Sequence, residues 1–250
     1  MRFVWLRFSS FSALALAAIA LVAAGCGRIS GRPGPGPEVV RPSEVLDFPT
    51  LYKANCAACH GENGKNGAAI SLANPVYLAV AGEENLQDIT AKGVPGKLMP
   101  PFAKSAGGML TDQQIGVLAH GMMQQWSRLD LLAGQNLPSY RATQTGDAGR
   151  GLQAFGVFCA RCHGAAGEGS TGDMNSGTGK IGSIVNGAYL SLISDQGLRS
   201  ITIAGRPNEG MPDWRSDASQ PMTDQQITDI VAWLASKRTA NPGQPYPPQQ

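Results

Sequence analysis

The feature that most constrains this chain is an internal duplication: residues 74–126 align with residues 186–238 at a constant offset of 112, without a gap. Asn74 pairs with Asn186, Tyr77 with Tyr189, Ile89 with Ile201, Gly93 with Gly205, Pro95 with Pro207, and Met99-Pro100 with Met211-Pro212. Thr111-Asp-Gln-Gln-Ile115 recurs unchanged as Thr223-Asp-Gln-Gln-Ile227. Upstream, Cys56-Ala-Ala-Cys59-His60 recurs as Cys159-Ala-Arg-Cys162-His163 at an offset of 103, so the second copy holds nine extra residues between His163 and Asn186. The Gly/Ser/Thr-rich stretch from Gly167 to Gly182 is the place for them and reads as a surface loop. A 250-residue chain of this kind folds as two copies of one small domain.

The legible secondary structure is helical in both copies, with no competing strand pattern. Thr111 with Gln114, and Thr223 with Gln226, form the S/T-x-x-E/Q capping box, and Asp112 and Asp224 favour the positive end of the helix each box opens. Ile115, Leu118, Ala119 and Met122 then follow helical spacing, as do Ile227, Ile230, Val231 and Leu234, so each helix buries one stripe. A shorter helix should precede each cysteine pair, carrying Tyr52 and Phe155 four residues before the first Cys.

Cys-x-x-Cys-His is the c-type haem attachment signature, and the spacing has a chemical reason. Two thiols add to the two vinyl groups on one porphyrin edge, and the adjacent imidazole reaches the iron. On this reading Cys56, Cys59, Cys159 and Cys162 form thioethers to two covalent haems, and His60 and His163 are the proximal iron ligands. A redox disulfide should sit in a βαβ pattern, which is absent, and a tetrahedral zinc would need adjacent Cys and His ligands plus a fourth group. Two motifs at matched positions weigh against both rivals.

The duplication also points to the sixth ligand. Met99 and Met211 are equivalent, each followed by Pro and each twelve residues before a capped helix. A thioether suits haem iron as a distal ligand and favours the ferrous state. Met109, Met122, Met123, Met174 and Met222 read as core filler or surface residues; Met109 aligns with Pro221 and Met222 with Leu110, so neither is shared. His120 lies off the apolar stripe and reads as an exposed helix residue. Phe102 and Trp214, three residues after each Met, pack either near a haem edge or in the ordinary core.

Cys-x-x-Cys-His near the start of a domain, Met-Pro some 40 to 50 residues later and a terminal amphipathic helix together resemble a class I cytochrome c domain. The resemblance occurs twice, over residues 43–126 and 147–238, with residues 127–146 as a linker. It implies an all-α architecture of two tandem domains, each with about three main helices around a covalent haem, the first and last helices crossing. In the second copy Gly151 and Phe155 would pack against Trp233 at that crossing. The first copy departs from the pattern, with Gly121 at the position of Trp233 and Phe48 at that of Gly151. Dihaem class I cytochromes are electron carriers or cytochrome subunits of larger complexes. The resemblance therefore implies single-electron transfer in a respiratory or photosynthetic chain, with a membrane oxidoreductase, oxidase or reductase as redox partner. The alternatives are a dihaem peroxidase, which needs an open or easily vacated distal position, and a haem-based sensor, for which no signalling domain is visible.

The first residues read as a sorting signal. Arg2 and Arg7 precede an apolar stretch from Phe11 to Ala24, short of the roughly 20 residues that span a bilayer. Val22-Ala23-Ala24-Gly25-Cys26 resembles a bacterial lipobox, although Ala23 stands where Leu is usual. The expectation is a signal peptide over residues 1–25, lipid on Cys26, a Gly/Pro-rich tether over 26–42 and placement at the periplasmic face of a bacterial membrane. Residues 239–250, rich in Pro and Gln, read as a disordered tail. Without Arg2 and Arg7 the chain carries 18 basic and 18 acidic residues, so no nucleic-acid partner is expected.

Overall fold

Asp47 and Asp147 open the two copies. In the computed structural model, which describes residues 36, 39–170, 181–215 and 220–239, each aspartate accepts a hydrogen bond from the backbone N–H three residues on. The expectations for residues 1–25, Cys26, most of the tether, the middle of the inserted loop and the tail from 240 on lie outside the described residues. Asp47 starts α1 (Phe48–Asn55), with Pro49 in its first turn where no N–H is missed, and Asp147 starts α5 (Ala148–Phe158).

Both helices end at the first cysteine of the motif. A one-turn helix follows, α2 (Ala57–His60) or α6 (Ala160–His163), and stops at a glycine with φ of +83° (Gly61) or +80° (Gly164). A Cβ at Gly61 would lie 1.9 Å from the Lys65 carbonyl oxygen, so the chain reverses there only without a side chain.

The middle helices show how one bend is made in two ways. α3 (Pro75–Lys92) is capped by Asn74 and interrupted at Gly82, where φ is +67°. In the second copy α7 (Gly187–Leu192) and α8 (Asp195–Ala204) are separate helices, and Ser194, the counterpart of Gly82, caps the second one through Gly197 N–H. The final helices, α4 (Asp112–Trp126) and α9 (Asp224–Ala235), begin with the expected capping boxes, both complete. Among the described residues there are isolated bridges but no strand, and no helix is long and apolar enough to cross a membrane.

The first and last helices of each copy cross by close contact. At the second crossing Gly151 packs so tightly that a Cβ would sit 2.0 Å from the Asp229 carbonyl oxygen, and Phe155 meets Trp233 with ring centroids 4.4 Å apart. At the first the sizes are exchanged: Gly121 on α4 receives the ring of Phe48 from α1, and a Cβ there would lie 2.2 Å from it. The indole missing at position 121 comes from Trp126 instead, which makes edge contacts with Phe48 at 5.6 Å and Tyr52 at 5.1 Å. Trp126 reaches Gly64 as Trp233 reaches Gly167, its counterpart in the second copy. The departure noted in the sequence is therefore a large-for-small swap that keeps the crossing.

Residues 127–146 are not a free spacer between the copies. Leu132 and Tyr140 are buried, and Arg199 of α8, only 2% exposed, donates to the carbonyls of Ser139 and Tyr140, to Thr228 Oγ1 and to Asp224. Gln196 adds a second donor to the Tyr140 carbonyl at 2.8 Å. On the other side Arg141 pairs with Asp88 of α3 at 3.0 Å. A buried guanidinium needs several acceptors, and here two carbonyls of this strap join Thr228 and Asp224 in supplying them.

Candidate haem-attachment sites

Each candidate site is assembled from two segments: the α1–α2 or α5–α6 corner, and the loop after the middle helix. At the corners Cys56 and Cys159 adopt nearly the same backbone, with φ and ψ of −119° and −35° against −123° and −33°. Each closes the preceding helix and starts the next, so one turn brings the second cysteine and the histidine back beside the first; His60 N–H bonds Cys56 O at 3.0 Å and His163 N–H bonds Cys159 O at 3.0 Å. All four thiols are unbridged, and Cys59 is exposed. Burial, with a smaller contribution from the neighbouring thiol, pushes Cys56 and Cys159 up to about 11, so both are thiols rather than thiolates.

The imidazoles differ in their support. His60 is buried, and its Nδ1 lies 2.8 Å from the Ile70 carbonyl oxygen. A carbonyl only accepts, so Nδ1 carries the proton and Nε2 presents its lone pair, as an iron ligand requires. Burial lowers the pKa of His60 against the opposing effect of that bond, which keeps the ring neutral. His163 is also lowered by burial, but its buried Nδ1 has no partner among the described residues. At the offset of 112 the counterpart of Ile70 is Gly182, at the edge of the inserted loop.

The methionine loops share two backbone hydrogen bonds. Val94 N–H donates to Met99 O at 2.9 Å, and its counterpart Arg206 N–H donates to Met211 O at 2.9 Å. Leu110 N–H reaches Phe102 O at 2.8 Å, and Met222 N–H reaches Trp214 O at 2.9 Å. Gly93 and Gly205, with φ of +64° and +63°, lie against the Met-Pro peptide; a Cβ would meet Pro100 C at 2.5 Å or Pro212 O at 2.3 Å. Only glycine combines that conformation with that approach. Met99 and Met211 are half-buried. Met222 is a core residue in the place of Leu110, Met122 is buried and Met109 is exposed, as expected for methionines outside the site. His120 is exposed, 3.4 Å from Glu83. Trp214 is buried and Phe102 half-buried.

A donor set of two thiols, a neutral imidazole with its Nδ1 proton held, and a thioether on a glycine-seated loop fits a covalent haem. Residues 44–120 match the family described as cytochrome c oxidase, cbb3-type, subunit III, and residues 148–238 match the family described as cytochrome c. The chain is two cytochrome c domains in tandem.

The cytochrome is 25% identical over 158 residues to the cbb3-type cytochrome c oxidase subunit CcoP of Azospirillum sp. (strain B510), an alignment covering 57% of this chain and 48% of that protein. It thus spans about half the length of that curated relative. Among solved structures, a chain of the Kuenenia stuttgartiensis reducing HAO-like protein complex aligns over 81% of this cytochrome and 99% of its own length, at 17% identity and a TM-score of 0.42.

Two covalently bound c-type haems belong to such a pair of domains. Bound haem iron supplies a one-electron couple. The residues that would hold the haems are the thiols and imidazole at each corner, with the His60 tautomer fixed by the Ile70 carbonyl and each Met-Pro loop seated on its glycine. Pattern reading missed the Ile70 carbonyl, Trp126 and Arg199. The first is a backbone atom with no side-chain signature, and the other two act across elements distant in sequence.

Proposed function

We propose that this cytochrome passes single electrons through two six-coordinate haems, as a tethered carrier or as the cytochrome subunit of a larger membrane oxidoreductase. On this reading Cys56, Cys59 and His60 hold the first haem with Met99 as distal ligand, and Cys159, Cys162 and His163 hold the second with Met211. The observation that carries it is the repeated Met-Pro loop, seated in both domains on a positive-φ glycine and hydrogen-bonded through the methionine's own carbonyl. An iron with a protein ligand on both faces offers substrate no position and exchanges electrons through the haem edge. Enzymatic turnover at either haem is therefore not part of the proposal.

The membrane setting is proposed from the sequence: a cleaved leader over residues 1–25, lipid on Cys26, a Gly/Pro-rich tether and the periplasmic face. The relative named as an oxidase subunit is compatible with a redox partner of that class. Cys26→Ala should release the protein from membranes into the soluble fraction.

Carbon monoxide tests the coordination. The reduced wild type should bind little, whereas Met99→Ala and Met211→Ala should each bind one equivalent and lower the potential of one haem. Rapid stoichiometric binding by the wild type, with efficient peroxide reduction, would make this a peroxidase-type enzyme instead.

A further inference from the structure

Asn74 belongs to the first domain by sequence and caps its middle helix, yet half of its side chain serves the second domain. The residue is 5% exposed. Its Oδ1 accepts from Val76 N–H at 2.9 Å and Tyr77 N–H at 3.2 Å, the ordinary cap of α3. Its Nδ2 crosses to the second domain and donates to the carbonyls of Ala204 at 3.0 Å and Gly205 at 3.3 Å.

Gly205 is the glycine under the Met211-Pro212 peptide, and the far end of its own peptide unit is Arg206 N–H, which donates to Met211 O at 2.9 Å. The result is a continuous chain: Asn74 amide to Gly205 carbonyl, then through that peptide group to Arg206 N–H and on to the Met211 carbonyl. Donation to one end of a peptide polarises it and strengthens the donor at the other. Four residues before Asn74 is Ile70, whose carbonyl holds His60 Nδ1. The segment that orients the first proximal histidine therefore also braces the second methionine loop.

The duplicate residue provides an internal comparison. Asn186 caps α7 in the same way, accepting from Tyr189 N–H at 3.0 Å, but among the described residues its amide makes no bond to Gly93. The crossing bond is a one-way device and not a by-product of the cap.

We propose that Asn74 is a positioning residue for the Met211 loop, through which the first domain sets the redox behaviour of the second haem. The proposal rests on Met211 as the distal ligand. Removing the crossing donor loosens the Arg206–Met211 link, weakens the thioether's hold on iron and lowers the potential of the second haem alone.

Asn74→Ser is the informative variant, because serine keeps the helix cap but is too short to cross. Asn74→Asp keeps the cap as well and turns a carboxylate oxygen toward two carbonyls, so it should act in the same direction and more strongly. Asn186→Ser is the control. Two readouts on the dihaem protein are needed. One is amide hydrogen exchange at Arg206, which should accelerate about fivefold in Asn74→Ser, the weight of one ordinary hydrogen bond. The other is spectroelectrochemistry with the Met-to-ferric-iron charge-transfer band, which should show a downward shift confined to the second haem. Asn186→Ser should leave that haem and the Arg206 amide unchanged. Unaltered Arg206 exchange in Asn74→Ser and Asn74→Asp would overturn the brace. Accelerated exchange with an unmoved potential would overturn the redox role. Met211→Ala separates that result from a wrong ligand assignment: if it too leaves the potential in place, it is Met211 as ligand that fails.

Discussion

Phe48 and Gly121 hold, across the first helix crossing, the reversed sizes of Gly151 and Trp233 at the second: the aromatic ring sits on the first helix and the glycine on the last. A Cβ at position 121 would lie 2.2 Å from the Phe48 ring, so the pair is tight enough for its coupling to be measured. Gly121→Ala should cost about 1–3 kcal/mol by overpacking. In a Phe48→Ala background the same change should be neutral or should stabilise, because alanine is the better helix former by about 0.5–1 kcal/mol. Denaturant unfolding of the four proteins measures the coupling directly. Equal costs in both backgrounds would show that the ring does not fill the glycine's space.

Gly205 and Gly210 separate conformational strain from steric contact in the second methionine loop. Both have positive φ, +63° and +82°, but a Cβ at Gly205 would strike the Met211-Pro212 backbone whereas the surroundings of Gly210 are open. Gly210→Ala should cost about 1 kcal/mol from the left-handed backbone alone. Gly205→Ala should cost clearly more and should also lower the potential of the second haem, since the loop must move. A Gly205→Ala protein with wild-type potential and stability would remove the seat from the description of the site.

Asp229 ties the second crossing to solution pH. Its carboxyl is held below the ordinary value of 3.8 chiefly by the hydrogen-bonded Arg150 guanidinium, at 2.8 Å, with help from the Asp147 amide and Gln225. A lowered folded-state value means that the aspartate contributes stability above its ordinary pKa and loses it as pH falls through the folded value. The wild type should therefore exceed Asp229→Asn in stability at neutral pH, and the gap should close as pH falls below 3.8 and through the lowered folded-state value. A gap that persists unchanged there would assign the difference to packing.

The parts legible in the sequence are those whose determinants lie within one or two turns of chain. Thr111 with Gln114 and Thr223 with Gln226 announced α4 and α9, and each Cys-x-x-Cys-His carried its own corner. Other features depend on which segment lies beside which. Trp126 takes over from Trp233 as the indole beside the equivalent glycine, yet in the alignment it pairs with Arg238, so comparison by position cannot show the exchange. Residues 127–146 carry turn-forming composition and look like a spacer, because the groups that order them, Arg199 and Gln196, belong to α8. Asn74 and Asn186 are the same residue at the same cap, and only the packing of one domain on the other gives the first a second role. The His163 Nδ1 has no partner among the described residues where His60 has the Ile70 carbonyl, a difference that two matching Cys-x-x-Cys-His motifs cannot show.

The most direct test of the central claim is the intact mass of the denatured protein, since thioether-linked haem survives unfolding. The wild type should carry the mass of two haems. Cys56→Ala with Cys59→Ala should carry one, on the second domain, and Cys159→Ala with Cys162→Ala should carry one, on the first. A denatured wild type without two haem masses, or a cysteine-pair variant that keeps both, would contradict the assignment of these residues as two independent covalent sites.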